Sequence, residues 1–237
     1  MNRKIALGIF GKAWRMLLHL RFRLFQRHRH NRVVIEQAAG RPILVLPQVM
    51  NPVLFLTGEF LAGLLSPQWI APHAAVLDMG SGSGICAVGA AQWARRVVAV
   101  DINPAAVRCT RINALLHQFE DRVEVRQGDL FAPVQGERFD LILFNPPYLP
   151  GEPRTEFERA LWANDVIERF AAGLGQHLSA DGAALVLLSS IADENSHLQS
   201  FTSRGFAVEV IARRHLIAET LTVYRLRPFD RLRTPLE

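Results

Sequence analysis

Phe139-Asp140-Leu141-Ile142-Leu143-Phe144-Asn145-Pro146-Pro147-Tyr148 is the stretch that decides the fold of this chain. Its run from Phe139 to Phe144 is apolar save for Asp140, as in a strand covered on both faces. Pro146 and Pro147 cannot continue a hydrogen-bonded ladder, so the strand stops there. A polar amide, two rigid residues and an aromatic ring are thus held at a strand's carboxyl end, where open α/β sheets place their ligands.

Outward from this stretch, the sequence alternates strand and helix patterns from Ala74 onward. Strands are predicted near 75–78, 96–100, 122–126, 139–144, 183–189, 206–212 and 220–226, and helices over 84–94, 104–117, 158–177 and 193–203. Such alternation predicts an α/β fold with a mostly parallel sheet flanked by helices. No helix signal separates the last two strands, which are expected to pair antiparallel at the sheet edge. The 237 residues, 49% of them hydrophobic, suffice for one α/β domain with an appendage.

Three units are expected: a basic amphipathic helical extension over 1–40, a cap segment over 41–72 and the main domain over 73–228. Residues 1–35 hold nine Lys/Arg and no Asp/Glu, so the rest of the chain is net negative despite the overall charge of +5. Residues 5–30 read as one helix with Phe10, Trp14, Leu17, Leu18, Phe22 and Phe25 on one arc and Lys12, Arg15, Arg23 and Arg27 mostly opposite. Its apolar face can pack on the domain; its basic face can meet RNA or a membrane surface. No uninterrupted apolar run approaches the roughly 20 residues of a membrane span, and no signal peptide is expected. The two cysteines, Cys86 and Cys109, and the eight histidines show no metal-ligand spacing. A reducing cytoplasm without disulfides or a metal site is expected.

In the cap segment, Ile43–Leu46 reads as a short strand, Asn51-Pro52 as a turn, and Thr57 as the cap of a helix from Gly58 to Leu65. The segment is placed across the ligand pocket, with Thr57 a candidate contact to the ligand and Glu59 a complement to the helix dipole.

The predicted strand ending in Asp78 runs into Gly80-Ser81-Gly82-Ser83-Gly84. Glycines at a strand-to-helix junction allow positive φ and close approach of backbone to a ligand. The spacing G-x-G-x-G differs from the G-x-G-x-x-G that cradles a pyrophosphate, which disfavours a nicotinamide dinucleotide. It suits S-adenosylmethionine (AdoMet), which has no phosphate and whose ammonium an acid such as Asp78 attracts. Asp101 ends the next strand and can accept both ribose hydroxyl protons. Ile102 offers an apolar surface to adenine, and Asn103-Pro104 starts the following helix. Asp129, in Gly128-Asp129-Leu130, ends the third strand; it can receive the adenine amino group or serve only as a turn residue. Cys86 and Cys109 read as packing.

Asn145-Pro146-Pro147-Tyr148 suits a planar nitrogen acceptor. The lone pair of an amide or exocyclic aryl amine is delocalised and weakly nucleophilic. Two acceptors, the Asn145 side-chain oxygen and the Pro146 carbonyl, can bind the NH₂ protons and direct the lone pair at a methyl group. Pro147 stiffens the backbone and Tyr148 packs against the acceptor plane. Rate is then gained by alignment, without a strong general base.

On these residues the sequence resembles the class I AdoMet-dependent methyltransferases, most closely the HemK/PrmC-like protein glutamine methyltransferases of the release-factor-modifying branch. Leu77–Gly84, Asp101-Ile102-Asn103-Pro104-Ala105-Ala106, Phe139–Tyr148, Ala160-Leu161-Trp162-Ala163 and Leu178–Gly182 carry the likeness. It covers roughly residues 74–226 and weakly the chain from Pro52. The resemblance implies a Rossmann-like, seven-stranded sheet and AdoMet held through Thr57, Asp78, Gly80, Ser81, Gly82, Gly84, Asp101, Ile102, Asp129, Leu130 and Asn145. Asn145–Tyr148 would hold a protein substrate such as a release factor. N6-adenine methyltransferases acting on DNA or RNA share the same motif, and a non-catalytic binding module shares the fold. The cap departs from the family: it reads Asn51-Pro52-Val53-Leu54-Phe55-Leu56-Thr57-Gly58-Glu59, and the segment after Tyr148 is short.

Overall fold

Val76 and Leu77, neighbours on one strand, are both fully buried but belong to different apolar clusters. That alternation places a sheet between two covered faces. The computed structural model describes residues 32–147, 165–217 and 219–229. Its elements are β1 (Val34–Ala38), β2 (Arg41–Val45), α1 (Pro52–Phe55), α2 (Thr57–Gly63), β3 (Ala75–Met79), α3 (Ile85–Ala91), β4 (Arg96–Asp101) and α4 (Pro104–Leu116). They continue with β5 (Val123–Gln127), β6 (Phe139–Phe144), α5 (Val166–His177), β7 (Leu178–Ser189), α6 (Glu194–Thr202), β8 (Phe206–His215) and β9 (Thr220–Pro228).

β3 to β9 form a seven-stranded sheet in the order β5-β4-β3-β6-β7-β9-β8. The first five strands are parallel, while β9 runs antiparallel to both β7 and β8. The expected antiparallel pair is present, with β8 at the edge and β9 one place in. The α/β class and Rossmann-like architecture read from the sequence are those observed. One face packs against the α2, α3 and α4 side through Ala62, Ala87, Ala90 and Cys109. The other packs against α5 and α6 through Phe170, Leu174 and Phe201. After β5 the chain crosses back over β3 to reach β6, so the order reverses between β3 and β6. Their carboxyl ends therefore flank the topological switch point, the crevice where such sheets bind ligands.

Two local expectations are corrected. Residues 34–38, assigned to the helical extension, form a strand that pairs with β2 through the two-residue turn Ala39-Gly40. Both turn residues have positive φ, 48° and 77°, as a type I′ hairpin turn demands. The boundary expected after residue 40 thus falls inside a hairpin. Its Ala38, Ile43 and Val45 share the core of the main sheet's first face. Thr57 does not cap α2: the N-cap is Leu56, in the left-handed region at φ 61°, with no side-chain capping bond. Asn51 is the working cap instead, its Oδ1 accepting the N–H groups of Val53 and Leu54 ahead of Pro52 at the start of α1. The helix expected over 158–177 is described only from Val166, and the amphipathic stretch 5–30 lies outside the described residues.

Candidate active site

Met79 pairs with Val100 on one side and Phe144 on the other, so the ends of β4, β3 and β6 lie side by side. That register brings Asp101, the Gly80–Gly84 loop and Asn145 to one edge of the sheet. The loop bends sharply, with φ of 68° at Gly80, 55° at Gly82 and 80° at Gly84. These values are open to glycine and strained for other residues. The N–H groups of Gly80 and Ser81 donate to the Val100 carbonyl, that of Gly82 to Asp101 Oδ2 at 2.8 Å, and that of Gly84 to the Ser81 carbonyl. These amides are spent within the protein, so they offer no cradle to a phosphate. The loop offers room instead. A Cβ built on Gly80 or Gly82 would meet nothing closer than 4.0 Å. Gly84 is different: a Cβ there would lie 2.9 Å from Thr110 Cα, so this glycine lets α4 pack against the loop.

Two buried polar residues of α4, singled out by nothing in the sequence, hold the loop from behind. Thr110 Oγ1 hydrogen-bonds Ser81 Oγ at 3.0 Å and the Gly82 carbonyl at 3.3 Å. Asn113 donates to the Ser83 and Leu44 carbonyls and accepts from Leu44 N–H, tying the loop to β2. The only signal available was their side-chain chemistry on a helix face that is otherwise apolar. Ser81, a candidate ligand contact, has its hydroxyl turned into this network.

Asp78 is 4% exposed and its Oδ2 has no hydrogen-bond partner among the described residues. Burial pushes its carboxyl up to about 7; the Ala87 backbone amide opposes this and the nearby Asp101 charge adds to it. Asp101 is raised too, by burial first, with the Gly82, Asn103 and Ile102 amides holding it down. Asp101 Oδ1 accepts Asn103 N–H at 2.8 Å, leaving each carboxylate oxygen with a further lone pair. Asn103 caps α4 as expected, its Oδ1 accepting Ala105 N–H, and its Nδ2 reaches the Gln48 carbonyl. Ile102 is a large apolar side chain left 39% exposed at this edge. Asp129 is farther out and bonds Arg169 of α5 at 2.6 Å, while Leu130 beside it is held at φ 46°.

The Asn145 side chain follows directly from β6. Phe144 behind it stacks on Phe170 of α5, ring centroids 4.1 Å apart, which fixes the strand end. Asn145 Nδ2 donates to Thr57 Oγ1 at 3.1 Å, a contact across 88 positions of sequence. Its Oδ1 is buried and without a hydrogen-bond partner among the described residues. Thr57, 2% exposed, therefore reaches the carboxyl end of β6. Pro146 is buried and Pro147 half-buried, and Tyr148 lies outside the described residues. Cys86 and Cys109 are free and buried, with Sγ contacts to the Gly58 and Leu44 carbonyls.

The orphaned Asp78 oxygen, the room over Gly80 and Gly82, the Asp101 carboxylate and exposed Ile102 fit AdoMet in a distinct order. They match an ammonium, a slender chain, a ribose diol and a purine. A seven-stranded sheet with this order and this edge defines a class I methyltransferase. The chain belongs to the methyltransferase small domain family, whose model matches residues 57–214, and is an AdoMet-dependent methyltransferase of the HemK/PrmC-like kind. It is 34% identical over 157 residues to a putative protein N5-glutamine methyltransferase of Methanocaldococcus jannaschii, covering 62% of this chain and 78% of that protein. It is 34% identical over 152 residues to a release factor glutamine methyltransferase of Geobacter sulfurreducens, covering 57% of this chain and 52% of that protein. With the ribosomal protein uL3 glutamine methyltransferase of Bradyrhizobium diazoefficiens it is 35% identical over 124 residues, 46% of this chain and 39% of that protein. The chain thus spans about half or less of these two bacterial relatives.

Among solved structures, a T. thermophilus 16S rRNA N2 G1207 methyltransferase bound to AdoMet and guanosine superposes with a TM-score of 0.62 at 20% identity. It covers 83% of this chain and 50% of that one. The E. cuniculi Mtq2–Trm112 complex gives a TM-score of 0.59 at 19% identity, covering 76% of this chain and 99% of the matched chain. Both similarities speak for the fold. Among the described residues, no helix is long and apolar enough to cross a membrane.

Proposed function

We propose that this chain transfers a methyl group from AdoMet to the side-chain amide nitrogen of a glutamine in a protein substrate, a translation release factor being the leading candidate. The observation that carries the reading is Asn145 Oδ1, buried, unpartnered and set at the carboxyl end of β6 beside the switch point. A buried acceptor without a donor costs free energy, on the order of 1–3 kcal/mol, unless a ligand completes it. A planar NH₂ completes it. The names of the relatives, all glutamine methyltransferases in the three cases above, support an amide over an adenine amine.

Asp78, Asp101, Ile102 and the space over Gly80 and Gly82 would hold AdoMet, with Asp129 and Leu130 at the rim. Bound there, AdoMet supplies a methyl on a sulfonium that departs as a neutral thioether. Asn145 Oδ1 and the Pro146 carbonyl would accept the two amide N–H groups and twist the NH₂ out of conjugation with its carbonyl, so that the nitrogen's lone pair is freed toward the methyl. With AdoMet held there, a new N–C bond would form as the S–C bond breaks, and the methylated nitrogen would lose one proton to solvent. The strand end holds these acceptors fixed, so little reorganisation accompanies the step. The basic segment 1–35 adds affinity for an anionic partner such as RNA, in a cytoplasmic protein.

Methyl-labelled AdoMet incubated with the chain and a cell extract, then split into protein and nucleic-acid fractions, tests the substrate. Label in protein, released as N5-methylglutamine on enzymatic digestion, is expected. Label confined to nucleic acid would transfer the same chemistry to a base amine and defeat the glutamine assignment.

A further inference from the structure

We propose that Thr57 is a positioning residue for Asn145, and that the cap segment serves to deliver it. The inference rests on the assignment of Asn145 as the acceptor-orienting group and deepens it. Three observations converge. Thr57 is buried, and its Oγ1 lies 3.1 Å from Asn145 Nδ2. The opposite end of the same amide, Oδ1, is buried with no hydrogen-bond partner among the described residues. The backbone around Thr57 is built to hold it in place: Leu56 takes φ 61°, a left-handed conformation costly for leucine, and thereby separates α1 from α2.

The flanks of Thr57 are equally determined. Asn51 caps α1, and Pro52 is buried at its first position. Gly58 packs beside Ile85 and Pro52, where a Cβ would make ordinary contact at 3.5 Å with each. Its carbonyl accepts from Cys86 Sγ on α3. Thr57 is β-branched and stiff at χ1, so this backbone fixes the hydroxyl as well.

An asparagine amide rotates readily about its last torsion. A hydroxyl can accept from Nδ2 or donate to Oδ1, so Thr57 alone sets the plane of the amide rather than its sense. The substrate sets the sense, because its own N–H groups need an oxygen facing them. With the plane held by Thr57 and the sense selected by the substrate, Oδ1 faces the acceptor's N–H groups. Without the hydroxyl, Nδ2 is left buried and unpaired and the amide turns to find another partner. The role differs from that of a cofactor ligand, which is what position 57 suggests in sequence.

Thr57→Val keeps the shape and removes the hydroxyl; Thr57→Ser keeps the hydroxyl. Three readouts separate the roles: AdoMet affinity by calorimetry, single-turnover methyl transfer, and the ¹⁵N resonance of the Asn145 side-chain amide, assigned by its disappearance in Asn145→Ala. Thr57→Val is expected to slow transfer by about ten- to a hundredfold, with AdoMet affinity within about twofold of wild type and the Asn145 amide resonance displaced. Thr57→Ser is expected to restore rate and resonance. Parallel loss of AdoMet affinity and rate in Thr57→Val would make Thr57 a cofactor ligand and overturn the proposal, as would an unmoved resonance with full transfer. If the wild-type chain transfers no methyl group to any acceptor while Thr57→Val still displaces the resonance, the enzymatic reading of Asn145 fails and the positioning contact stands.

Discussion

Asp78 shows how a single residue can be costly to the fold and necessary to the site. Its carboxyl is buried and raised from an ordinary value of 3.8 to about 7. Between those values the folded chain binds a proton that the unfolded chain has released, so stability of the free protein falls as pH rises through this window. Above about 7 the loss is complete. A cationic ligand reverses the balance, because it needs the carboxylate that folding alone disfavours. Two outcomes follow by the same physics. The rise in melting temperature on adding AdoMet is expected to be larger at pH 8 than at pH 6, and a thermal shift series checks it. Asp78→Asn is expected to melt above the free wild type yet to bind AdoMet at least about tenfold more weakly, since one unit of coupling is worth about 1.4 kcal/mol. Equal melting shifts at both pH values would remove Asp78 from the ammonium site. Gly84→Ala is a separate case at this scale. Its Cβ would meet the backbone of Thr110 at 2.9 Å, in a left-handed conformation. A loss of roughly 2–4 kcal/mol in urea unfolding is expected from strain and overpacking together.

At the scale of elements, α4 holds the ligand loop and the hairpin together. Asn113 hydrogen-bonds Leu44 N–H and the Leu44 and Ser83 carbonyls. Asn113→Ala is expected to cost roughly 2–4 kcal/mol by leaving buried groups unpaired, and to weaken AdoMet binding because Ser83 lies in the glycine loop. Chemical denaturation and calorimetry on the same variant measure both. A surface ion network behaves differently. Glu124 is held down to about 2 by Arg126 and Arg96, but it is half exposed and screened by solvent, so Glu124→Gln is expected to move stability by less than about 1 kcal/mol.

The same elements show what the sequence could reveal. β3, β4 and β6 were legible because both faces are buried and each ends in punctuation: a glycine loop, Asp101 with Asn103-Pro104, or two prolines. Asn103 was legible as a cap because capping is local chemistry. The β1 strand was not. Its burial alternates, with Ile35 67% exposed, and a basic run directly precedes it, so its pattern merged with the amphipathic stretch upstream. Thr57 looked like a cap because threonine before a helix usually is one. The left-handed turn at Leu56 shifts the helix start by one residue and spends the hydroxyl on a partner 88 residues away. Long-range partners of this kind, and the Thr110 and Asn113 clamp, leave no local trace in sequence.

For the whole molecule, the charge is divided. Nine of the 27 Lys/Arg lie in residues 1–35, before the first acidic residue. Removing residues 1–31 is expected to leave AdoMet affinity within about twofold, because every candidate ligand group lies from Thr57 onward. The proposed RNA contact of this segment further predicts that the truncation abolishes salt-dependent RNA binding, whose affinity falls steeply with ionic strength when many phosphates are neutralised. Filter binding at two salt concentrations with both chains checks this.

The proposed reaction divides the work among the ends of β3, β4 and β6: two carboxylates and a glycine loop for the methyl donor, Asn145 for the planar nitrogen. Asn145→Ala, assayed for AdoMet affinity by calorimetry and for methyl transfer in a single turnover on one sample, tests that division most directly. The account predicts affinity within about threefold of wild type and transfer reduced by about a hundredfold or more, in the range seen when one preorganised polar group is removed from a site. Affinity and transfer falling together, or transfer persisting without Asn145, would contradict it.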